Sequence, residues 1–326
     1  MPETVVPERS TSICLLVNPA AGGGKAAKLA PEAERVLRAH GLTVHRHDTR
    51  SLTHARELAV AAARADQHVV VLSGDGAIGA VAEALREVPG AVLGVLPGGR
   101  GNDLARALGV SLELDEACAT IAGGVWRAMD VGEVGPAAGS ASDDPARTFV
   151  GIASAGFDSD ANRIANEAPS WLGNLVYAYG ALRALLAWRP ASFEIELDPP
   201  GERRRFIAYT VGACNSRSYG GGMRAAPDAL LDDGQLEIVV LENVSKLAFL
   251  TKILPRVFSG THVREPHVHV FRAREVSIEA DRAFTMYADG DPIGELPLRV
   301  RAVAGAINVL VPTKAGAGSA FSDQLR

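Results

Sequence analysis

The stretch HVVVLSGDGAIGAVAEALREV, residues 68–88, decides the fold class of this chain. Its first five residues are mostly β-branched and predict a buried strand. Ser73-Gly-Asp-Gly76 follows as a tight loop, and a helical pattern then runs from Ala77 to about Glu87. A strand that passes through a glycine loop directly into a helix is one unit of an α/β fold.

The same strand–loop–helix unit recurs through the first 130 residues. The strands are predicted at residues 13–17, 44–47, 68–72 and 92–96, and the helices near 25–40, 55–62, 77–87 and 102–108. Repeated units of this size are joined by right-handed crossovers and build a parallel sheet. We therefore predict an α/β domain over residues 1–133.

Beyond about Asp130 the hydrophobic period changes to two residues. Phe193, Ile195 and Leu197, for example, alternate with glutamates. Further strands are predicted at 206–214, 236–241, 267–271, 276–280, 284–288 and 307–311, with helical patterns near 157–188 and 245–258. Half-polar strands in sequence favour antiparallel sheets. We predict a second, mostly β domain over residues 134–312, opening on the polar crossover 136–147, and a disordered tail over 313–326.

Composition excludes several classes of protein. The 326 residues suit one large domain or two ordinary ones, and 47% hydrophobic with 22% charged residues is typical of a soluble protein with a core. Collagen, coiled coils, disordered chains and disulfide scaffolds are excluded. The net charge of −5 argues against nucleic acid as the main partner.

The cysteines and the apolar stretches predict the compartment. Cys14, Cys118 and Cys214 lie far apart without CxxC spacing, which fits a reducing compartment and predicts neither a disulfide framework nor a zinc site. The N-terminus lacks the apolar region of a secretory signal. Residues 175–188, which include Arg183, are too few to span a bilayer. We expect a soluble, cytoplasmic protein, for which contact with a membrane surface stays open.

Two glycine loops are predicted to lie side by side at the carboxyl edge of the parallel sheet. They are Ser73-Gly-Asp-Gly76 and Pro97-Gly-Gly-Arg-Gly-Asn-Asp103. Backbone N–H groups at helix N-termini bind phosphate, so the pair predicts a nucleotide site. Asp75 would repel phosphate unless it binds a ribose hydroxyl or a cation; the alternative is a tight turn with Asp75 as helix cap. Gly22-Gly-Gly-Lys25 lacks the spacing of a Walker A loop.

The second half carries fewer specific motifs. Asp232-Asp-Gly-Gln and Asp289-Gly-Asp291 are each typical of a hairpin turn when taken alone. His267 and His269 lie at strand spacing with no third ligand, which favours an exposed strand face over a metal site. There is no G-x-S-x-G elbow to support serine hydrolysis.

Taken in order, these motifs resemble the diacylglycerol kinase catalytic family, in its bacterial soluble lipid kinase branch. The matching pieces are Asn18-Pro-x-x-Gly, Thr49, Gly74-Asp-Gly, Pro97-Gly-Gly-x-Gly-Asn-Asp, Asp233-Gly and Asp289-Gly-Asp. They run from about residue 12 to 312. Sphingosine and ceramide kinases share the set, and NAD kinases share the Gly-Asp-Gly loop. The resemblance implies a three-layer α/β domain, a C-terminal β-sandwich and ATP bound in the cleft between them.

The resemblance also implies site residues. Nucleotide contacts are implied at Asn18, Thr49, Ser73, Gly74, Asp75, Gly76, Ala77, Gly98, Gly99, Arg100, Asn102 and Asp103. A Mg²⁺ site is implied with a carboxylate from Asp233 and backbone carbonyls from Leu230 and Gln235. Asp291 is implied as the general base, with Asp289 as its metal or hydrogen-bond support.

The chain departs from the family pattern at several positions. Ser73 replaces a glycine, Ala77 replaces a threonine, and Gly79-Ala80 stands where Asn-Glu is usual. Arg100 replaces a threonine, and Asp291 replaces a glutamate. Arg100 either restores lost phosphate contacts or signals a different donor or weaker catalysis.

We therefore expect an ATP- and Mg²⁺-dependent lipid kinase that phosphorylates the hydroxyl of diacylglycerol or a related lipid at the membrane surface. The apolar segment 171–188, with Tyr177 and Tyr179, is either an acyl-chain groove or, as the simpler interpretation, a buried domain helix. One alternative is a kinase for a sphingoid or non-lipid acceptor, with an NAD kinase-like enzyme less favoured. Another is a nucleotide- or lipid-binding protein with weakened catalysis. A homodimer is left open.

Overall fold

The chain folds into two compact units. The computed structural model describes residues 10–137, 145–167, 176–313 and 319–322. Unit 1 holds the chain up to Val131, then Leu230–Asp233 and the chain from Ala304 onward. Unit 2 holds Gly132–Ala229 and Gly234–Val303. Within the described residues, no helix is both long and apolar enough to cross a membrane.

Unit 1 alternates strands and helices. Its elements are β1 (Ser12–Val17), α1 (Lys25–Ala39), β2 (Thr43–Asp48), α2 (Leu52–Arg64), β3 (His68–Ser73), α3 (Asp75–Leu85), β4 (Val92–Pro97), α4 (Asp103–Ala107) and α5 (Leu114–Gly123). β5 (Val125–Pro136) begins in unit 1 and ends in unit 2, and β15 (Leu298–Val311) does the reverse. The predicted α/β class is confirmed.

The sheet of unit 1 is parallel, in the order β15–β4–β3–β1–β2. The connection from β1 to β2 moves one way across the sheet, and that from β2 to β3 moves the other way. Right-handed crossovers therefore place α1 and α2 on opposite faces. α1 packs with α5 and α2 packs with α3, which gives three layers. The strands β1, β3 and β4 are almost entirely buried, as strands covered on both faces should be.

Two later segments complete unit 1. The backbone of Leu231 bonds to Asp130 and Ala320. The Asp232 carboxylate accepts hydrogen bonds from Arg127 at 2.7 Å and from both the N–H and the hydroxyl of Ser322 at 2.8 Å. The prediction of a disordered tail does not fit residues 319–322, because these bonds and the burial of Ala320 and Phe321 hold them in place. Residues 314–318 and 323–326 lie outside the described chain.

Unit 2 contains the antiparallel strands and the remaining helices. Its elements are β6 (Arg147–Phe149), β7 (Ile152–Gly156), α6 (Phe157–Glu167), α7 (Val176–Ala187), β8 (Ala191–Leu197), β9 (Glu202–Cys214), β10 (Leu236–Glu242), α8 (Lys246–Ala248), a π-helical turn (Phe249–Ile253), α9 (Leu254–Ser259), β11 (Val268–Ala273), β12 (Glu275–Ala280), β13 (Thr285–Ala288) and β14 (Asp291–Glu295). α8, the π-helical turn and α9 follow one another without a break; we call them the 246–259 segment.

The long strand β9 belongs to two antiparallel sheets. Its first half pairs with β8, and the order continues through β12 to the start of β15. Its second half pairs with β7 and β10, in the order β11–β10–β9–β7–β13–β14. The predicted mostly antiparallel domain is therefore confirmed. The Asp232-Asp-Gly-Gln motif is not a hairpin turn, because residues 215–235 separate β9 from β10.

An aromatic cluster forms part of the core of unit 2. Tyr209 stacks on Trp188 with ring centroids 5.4 Å apart and on Phe249 at 5.0 Å. Phe157 meets all three rings edge-on, at 5.1 to 6.0 Å. The rings come from β9, α6, the end of α7 and the 246–259 segment. The cluster therefore holds the helices of unit 2 against its sheet.

Candidate active site

Three glycine loops meet at the carboxyl edge of the unit 1 sheet. They follow β1, β3 and β4. A methyl group on Gly99 would lie 2.4 Å from the Cα of Gly74, and one on Gly22 would lie 2.6 Å from the carbonyl oxygen of Gly98. Gly98 N–H also donates to the Ser73 carbonyl at 2.9 Å. The loops after β3 and β4 therefore lie side by side, as predicted, and they touch backbone to backbone.

Two polar side chains fix the loop after β4. The Asn102 amide oxygen accepts from Gly99 N–H at 2.8 Å, and its amide nitrogen donates to the Gly99 carbonyl at 3.2 Å. Asp75, the first residue of α3, accepts from Leu104 N–H at 3.1 Å. Asp75 therefore contacts the first turn of α4, and Gly74 stands at the N-cap of α3. Asp75 is the carboxylate whose role the glycine motif left open, and its hydrogen bond links the loop after β3 to the helix that follows the loop after β4.

The carboxyl edge of the unit 1 sheet also presents hydrogen-bond donors that an anion can use. Gly74 has no side chain to cap α3, so the first N–H groups of that helix are open to a ligand or to water. Ser73 is buried, and its hydroxyl has no hydrogen-bond partner in the described chain. Arg100 is exposed. A nucleotide phosphate fits such a set, because it accepts from N–H and hydroxyl donors and pairs with a guanidinium.

The remaining predicted nucleotide contacts lie on the same edge. Asn18 accepts from Ala20 N–H at 3.2 Å, and the Thr49 hydroxyl donates to the Val17 carbonyl at 3.1 Å. Asp103 begins α4 and is buried. The structure thus brings together the sequence-predicted residues from Asn18 to Asp103 within unit 1. Their roles toward a nucleotide stay predictions.

The predicted magnesium ligands lie in or next to the short segment Leu230–Asp233, which belongs to unit 1. Asp232 accepts hydrogen bonds from Arg127 and Ser322, and Asp233 is the carboxylate that the family resemblance implies as a ligand. No cluster of three or more His, Cys, Asp or Glu side chains occurs in the described residues. Asp233 with the carbonyls of Leu230 and Gln235 is a set of hard oxygen donors. It fits Mg²⁺ when water or phosphate oxygens supply the other positions.

The two aspartates of the Asp289-Gly-Asp291 motif differ in environment. Asp289 and Gly290 form the two-residue turn between β13 and β14, with φ of +51° and +94°. The Asp289 carboxylate accepts from the N–H groups of Val150 at 2.8 Å, Gly151 at 2.9 Å and Ile152 at 3.1 Å. Asp291 is exposed at the start of β14. Asp289 therefore fixes this turn to residues 150–152, and the roles of Asp289 and Asp291 in catalysis stay predictions.

Unit 2 contains a pocket of about 190 Å³ that sequence reasoning missed. It lies between the β7–β9–β10 sheet on one side and α6 and the 246–259 segment on the other. Its lining is mostly apolar: Ile152, Phe157, Ala161, Gly212, Cys214, Met223, Ala225, Val239, Leu241, Phe249, Ile253, Leu254, Val257 and Val268, with polar Ser154, Asp158, Thr210, Tyr219 and His262. These residues are scattered over more than 100 positions, so no local motif marks them.

One carboxyl group stands in this apolar wall. Asp158 accepts from the Thr210 hydroxyl at 3.2 Å and from the Tyr219 hydroxyl at 3.5 Å. Burial raises the pKa of Asp158 above its usual range, although the hydroxyl bonds oppose the shift. Burial, aided by the charge of Asp158, raises the pKa of Tyr219 well above its usual value. The pocket therefore suits an apolar chain that carries one polar group.

Among the described residues of the segment 171–188, none lines this pocket. Residues 171–175 and the side chains of Tyr177 and Tyr179 lie outside the described chain, so for them the choice between an acyl-chain groove and a buried helix stays a prediction. In the described part, Ala184, Leu185 and Trp188 are buried, but Leu182 and Leu186 are exposed. That part of the segment is therefore not a fully buried helix.

Comparisons with known proteins identify the family. The diacylglycerol kinase catalytic domain model matches residues 12–134, and the YegS C-terminal NAD kinase beta sandwich-like domain model matches residues 151–311. A diacylglycerol kinase of Mycobacterium tuberculosis is 33% identical over 312 residues, covering 92% of this chain and 95% of that protein. The chain belongs to the diacylglycerol kinase family.

Other members of the diacylglycerol kinase family agree with this placement. A diacylglycerol kinase of Bacillus subtilis is 28% identical over 263 residues, covering 80% of this chain and 82% of that protein. The crystal structure of a diacylglycerol kinase from Bacillus anthracis has a TM-score of 0.69 at 20% identity and covers 92% of this chain and 97% of that one. That likeness confirms the fold.

Proposed function

We propose that this diacylglycerol kinase-family protein transfers the γ-phosphoryl group of ATP to the hydroxyl of diacylglycerol or a related lipid, with Mg²⁺. The observation that carries the acceptor class is the apolar pocket of unit 2, because a small polar acceptor needs no such wall. The names of the relatives, diacylglycerol kinases of M. tuberculosis and B. subtilis, support the same substrate.

Unit 1 supplies the donor side of the proposed reaction. The N–H groups at the start of α3 and the buried hydroxyl of Ser73 bind phosphate oxygens, and Arg100 offsets their charge. Asp75 and Asn102 hold the two loops in register, so these donors are in place before the nucleotide arrives. Asp233, with the carbonyl of Leu230, would hold Mg²⁺, which neutralises phosphate charge when bound.

Unit 2 supplies the acceptor side. A segment of one acyl chain and the polar end of the lipid occupy the pocket, where Asp158 with Thr210 and Tyr219 binds the polar end. The acceptor oxygen bonds to the γ-phosphorus as the bond to ADP breaks, and the hydroxyl proton passes to Asp291. Asp289 fixes the turn that carries Asp291 through its bonds to residues 150–152.

A pocket-filling variant tests the acceptor assignment. Gly212 lines the pocket on β9, and the atom nearest to an added Cβ is 3.7 Å away, so the Cβ of Gly212→Val meets ordinary van der Waals contacts. We expect the variant to raise the KM for long-chain diacylglycerol at least about tenfold and to leave the KM for ATP unchanged.

Gly135→Val is the matched control for this test. Gly135 is a strand glycine of unit 2 away from the pocket lining, with its nearest atom at 3.4 Å. We expect wild-type kinetics for this variant. Unchanged lipid kinetics in Gly212→Val, with the fold intact, would remove the pocket from the acceptor site.

A further inference from the structure

Large apolar side chains are exposed on the two helical elements of unit 2. On α7, Leu182 is 54% and Leu186 is 66% exposed, and their spacing of four places them on one face. In the 246–259 segment, Leu247 is 71% and Leu250 is 42% exposed, at a spacing of three. Single exposed leucines are ordinary on soluble proteins, but four on neighbouring helices are not.

The two helical elements are adjacent. The Lys246 ammonium donates to the Leu186 carbonyl at 2.8 Å, which joins the C-terminal end of α7 to the start of α8. Trp188, just after α7, and Phe249, just after α8, both stack on Tyr209. The end of α7 and the end of α8 are therefore both held next to the Tyr209 ring.

The 246–259 segment is apolar on two sides. Phe249 and Ile253 are buried and line the pocket, whereas Leu247 and Leu250 face outward. One apolar stripe is enough to seat a helix on the core of its own domain. The second stripe therefore has no partner within the part of unit 2 that the structure describes.

The charges of these segments differ from those of the rest of the chain. Residues 176–190 and 243–264 contain six basic residues and no acidic residue, in a chain whose net charge is −5. The basic residues are Arg183, Arg189, Lys246, Lys252, Arg256 and Arg264, of which Arg256 is ion-paired with Glu265, the residue directly after these ranges. Exposed leucines among basic residues match the surface of a bilayer with anionic headgroups, because the leucines enter the acyl boundary while the cations remain at the phosphates.

We propose that Leu182, Leu186, Leu247 and Leu250, with Arg189, Lys246 and Lys252, form a docking surface for an anionic lipid bilayer. The inference extends the proposed function, because the 246–259 segment also lines the acceptor pocket. The 246–259 segment separates this surface from the acceptor pocket. A lipid that leaves the bilayer here therefore passes one layer of helix to reach the pocket.

Vesicle sedimentation without nucleotide tests the docking surface, with vesicles of phosphatidylcholine alone or with 25 mol% phosphatidylglycerol. Wild type should bind the anionic vesicles more tightly, and added salt should weaken binding. Leu186→Glu/Leu247→Glu should reduce binding at least about tenfold. Arg189→Glu/Lys252→Glu should reduce it by at least about fivefold per residue, or at least about 25-fold in all, because each substitution removes a cation and adds an anion.

Matched variants in unit 1 control for added charge. Leu52 and Leu112 are 43% and 40% exposed, and Lys28 and Arg64 are exposed. Leu52→Glu/Leu112→Glu and Lys28→Glu/Arg64→Glu make the same changes of charge, and both should bind vesicles like wild type. Circular dichroism checks that each variant is folded.

Three results would overturn the docking surface: wild type that does not bind anionic vesicles, leucine variants that bind like wild type, or leucine variants that turn an oligomer into monomers without losing vesicle binding. Activity on dissolved dioctanoylglycerol separates this proposal from the proposed function. Docking variants should retain that activity and lose activity on vesicles. If wild type phosphorylates no lipid but binds vesicles as predicted, the proposed function fails and the docking surface stands.

Discussion

Replacing Asp289 by alanine removes the acceptor of three backbone hydrogen bonds. The N–H groups belong to residues 150–152, where Val150 and Ile152 are buried, so water does not readily replace the carboxylate. The same loop is held from the other side, since the Asn215 amide donates to the Val150 carbonyl at 3.0 Å. Losing Asp289 therefore leaves unpaired donors in a fixed loop.

The stability expected to be lost in Asp289→Ala has two sources, the missing hydrogen bonds and the left-handed backbone of residue 289. A hydrogen bond to a charged acceptor contributes ~1.5–3 kcal/mol, and three on one carboxylate are not additive, so we expect about 3–5 kcal/mol. The left-handed backbone of Asp289 costs alanine a further ~1 kcal/mol. Asp289→Gly removes the bonds without that strain. Asp289→Asn keeps an oxygen for Gly151 and Ile152 but turns an NH₂ toward Val150, and should lose about 2 kcal/mol.

Urea denaturation followed by circular dichroism measures this series. The expected order of stability is wild type, Asp289→Asn, Asp289→Gly, Asp289→Ala. Asp291→Ala is the matched control, because Asp291 is exposed and should stay within about 0.5 kcal/mol of wild type. A loss below about 1 kcal/mol for Asp289→Ala would refute the positioning role. A comparable loss for Asp291→Ala would show that the whole turn, and not this carboxylate, holds the loop.

Three further predictions concern the glycine loops, the cysteines and the pocket. Gly99→Ala places a methyl 2.4 Å from the Cα of Gly74, so it should lower stability by about 1–3 kcal/mol and weaken ATP binding in calorimetry. Gly76→Ala, which meets open space, should leave stability unchanged, and equal stability of the two variants would contradict the close approach. No thiol should react with DTNB at pH 8 in the native protein, because burial raises the pKa of Cys14 to about 11, that of Cys118 to about 12, and that of Cys214 as well; fast labelling before unfolding would disprove this. Because the pKa of Asp158 is raised on folding, its contribution to stability is full below the ordinary pKa of an aspartate and is lost as pH rises through the raised value. Asp158→Asn should remove that part of the pH dependence of the melting temperature, and an unchanged profile would count against it.

Much of the fold and part of the site could be predicted because the signals are local. Most strands could be predicted from apolar residues at every second position or from a β-branched run before a glycine loop. Because two of these strands follow one another along the chain, the loops after them were expected to be neighbours. The loops after β3 and β4 do touch. β5, β6, β14, α5 and β7, which has the sequence IASAG, escaped prediction. β7 lacks the β-branched and aromatic residues that mark strands, although it is fully buried.

The rest depends on contacts between distant residues. Asp289 bonds to a loop about 138 positions earlier, Asp75 bonds to Leu104, and Asp232 bonds to Ser322. No local pattern of turn or cap residues records such pairs. The pocket of unit 2 is likewise assembled from five or more elements, and among the described residues that line it Asp158 alone carries a carboxylate.

The most direct measurement of the central claim is transfer of label from γ-³²P-ATP with Mg²⁺ into mixed micelles that contain diacylglycerol, a sphingoid base or neither. We predict a labelled lipid whose formation requires diacylglycerol and Mg²⁺ and whose rate of formation falls about 10²-fold or more in Asp291→Asn. Label only in the sphingoid product would contradict the acceptor. Label only in inorganic phosphate or a water-soluble product, with diacylglycerol present, would contradict lipid kinase activity itself.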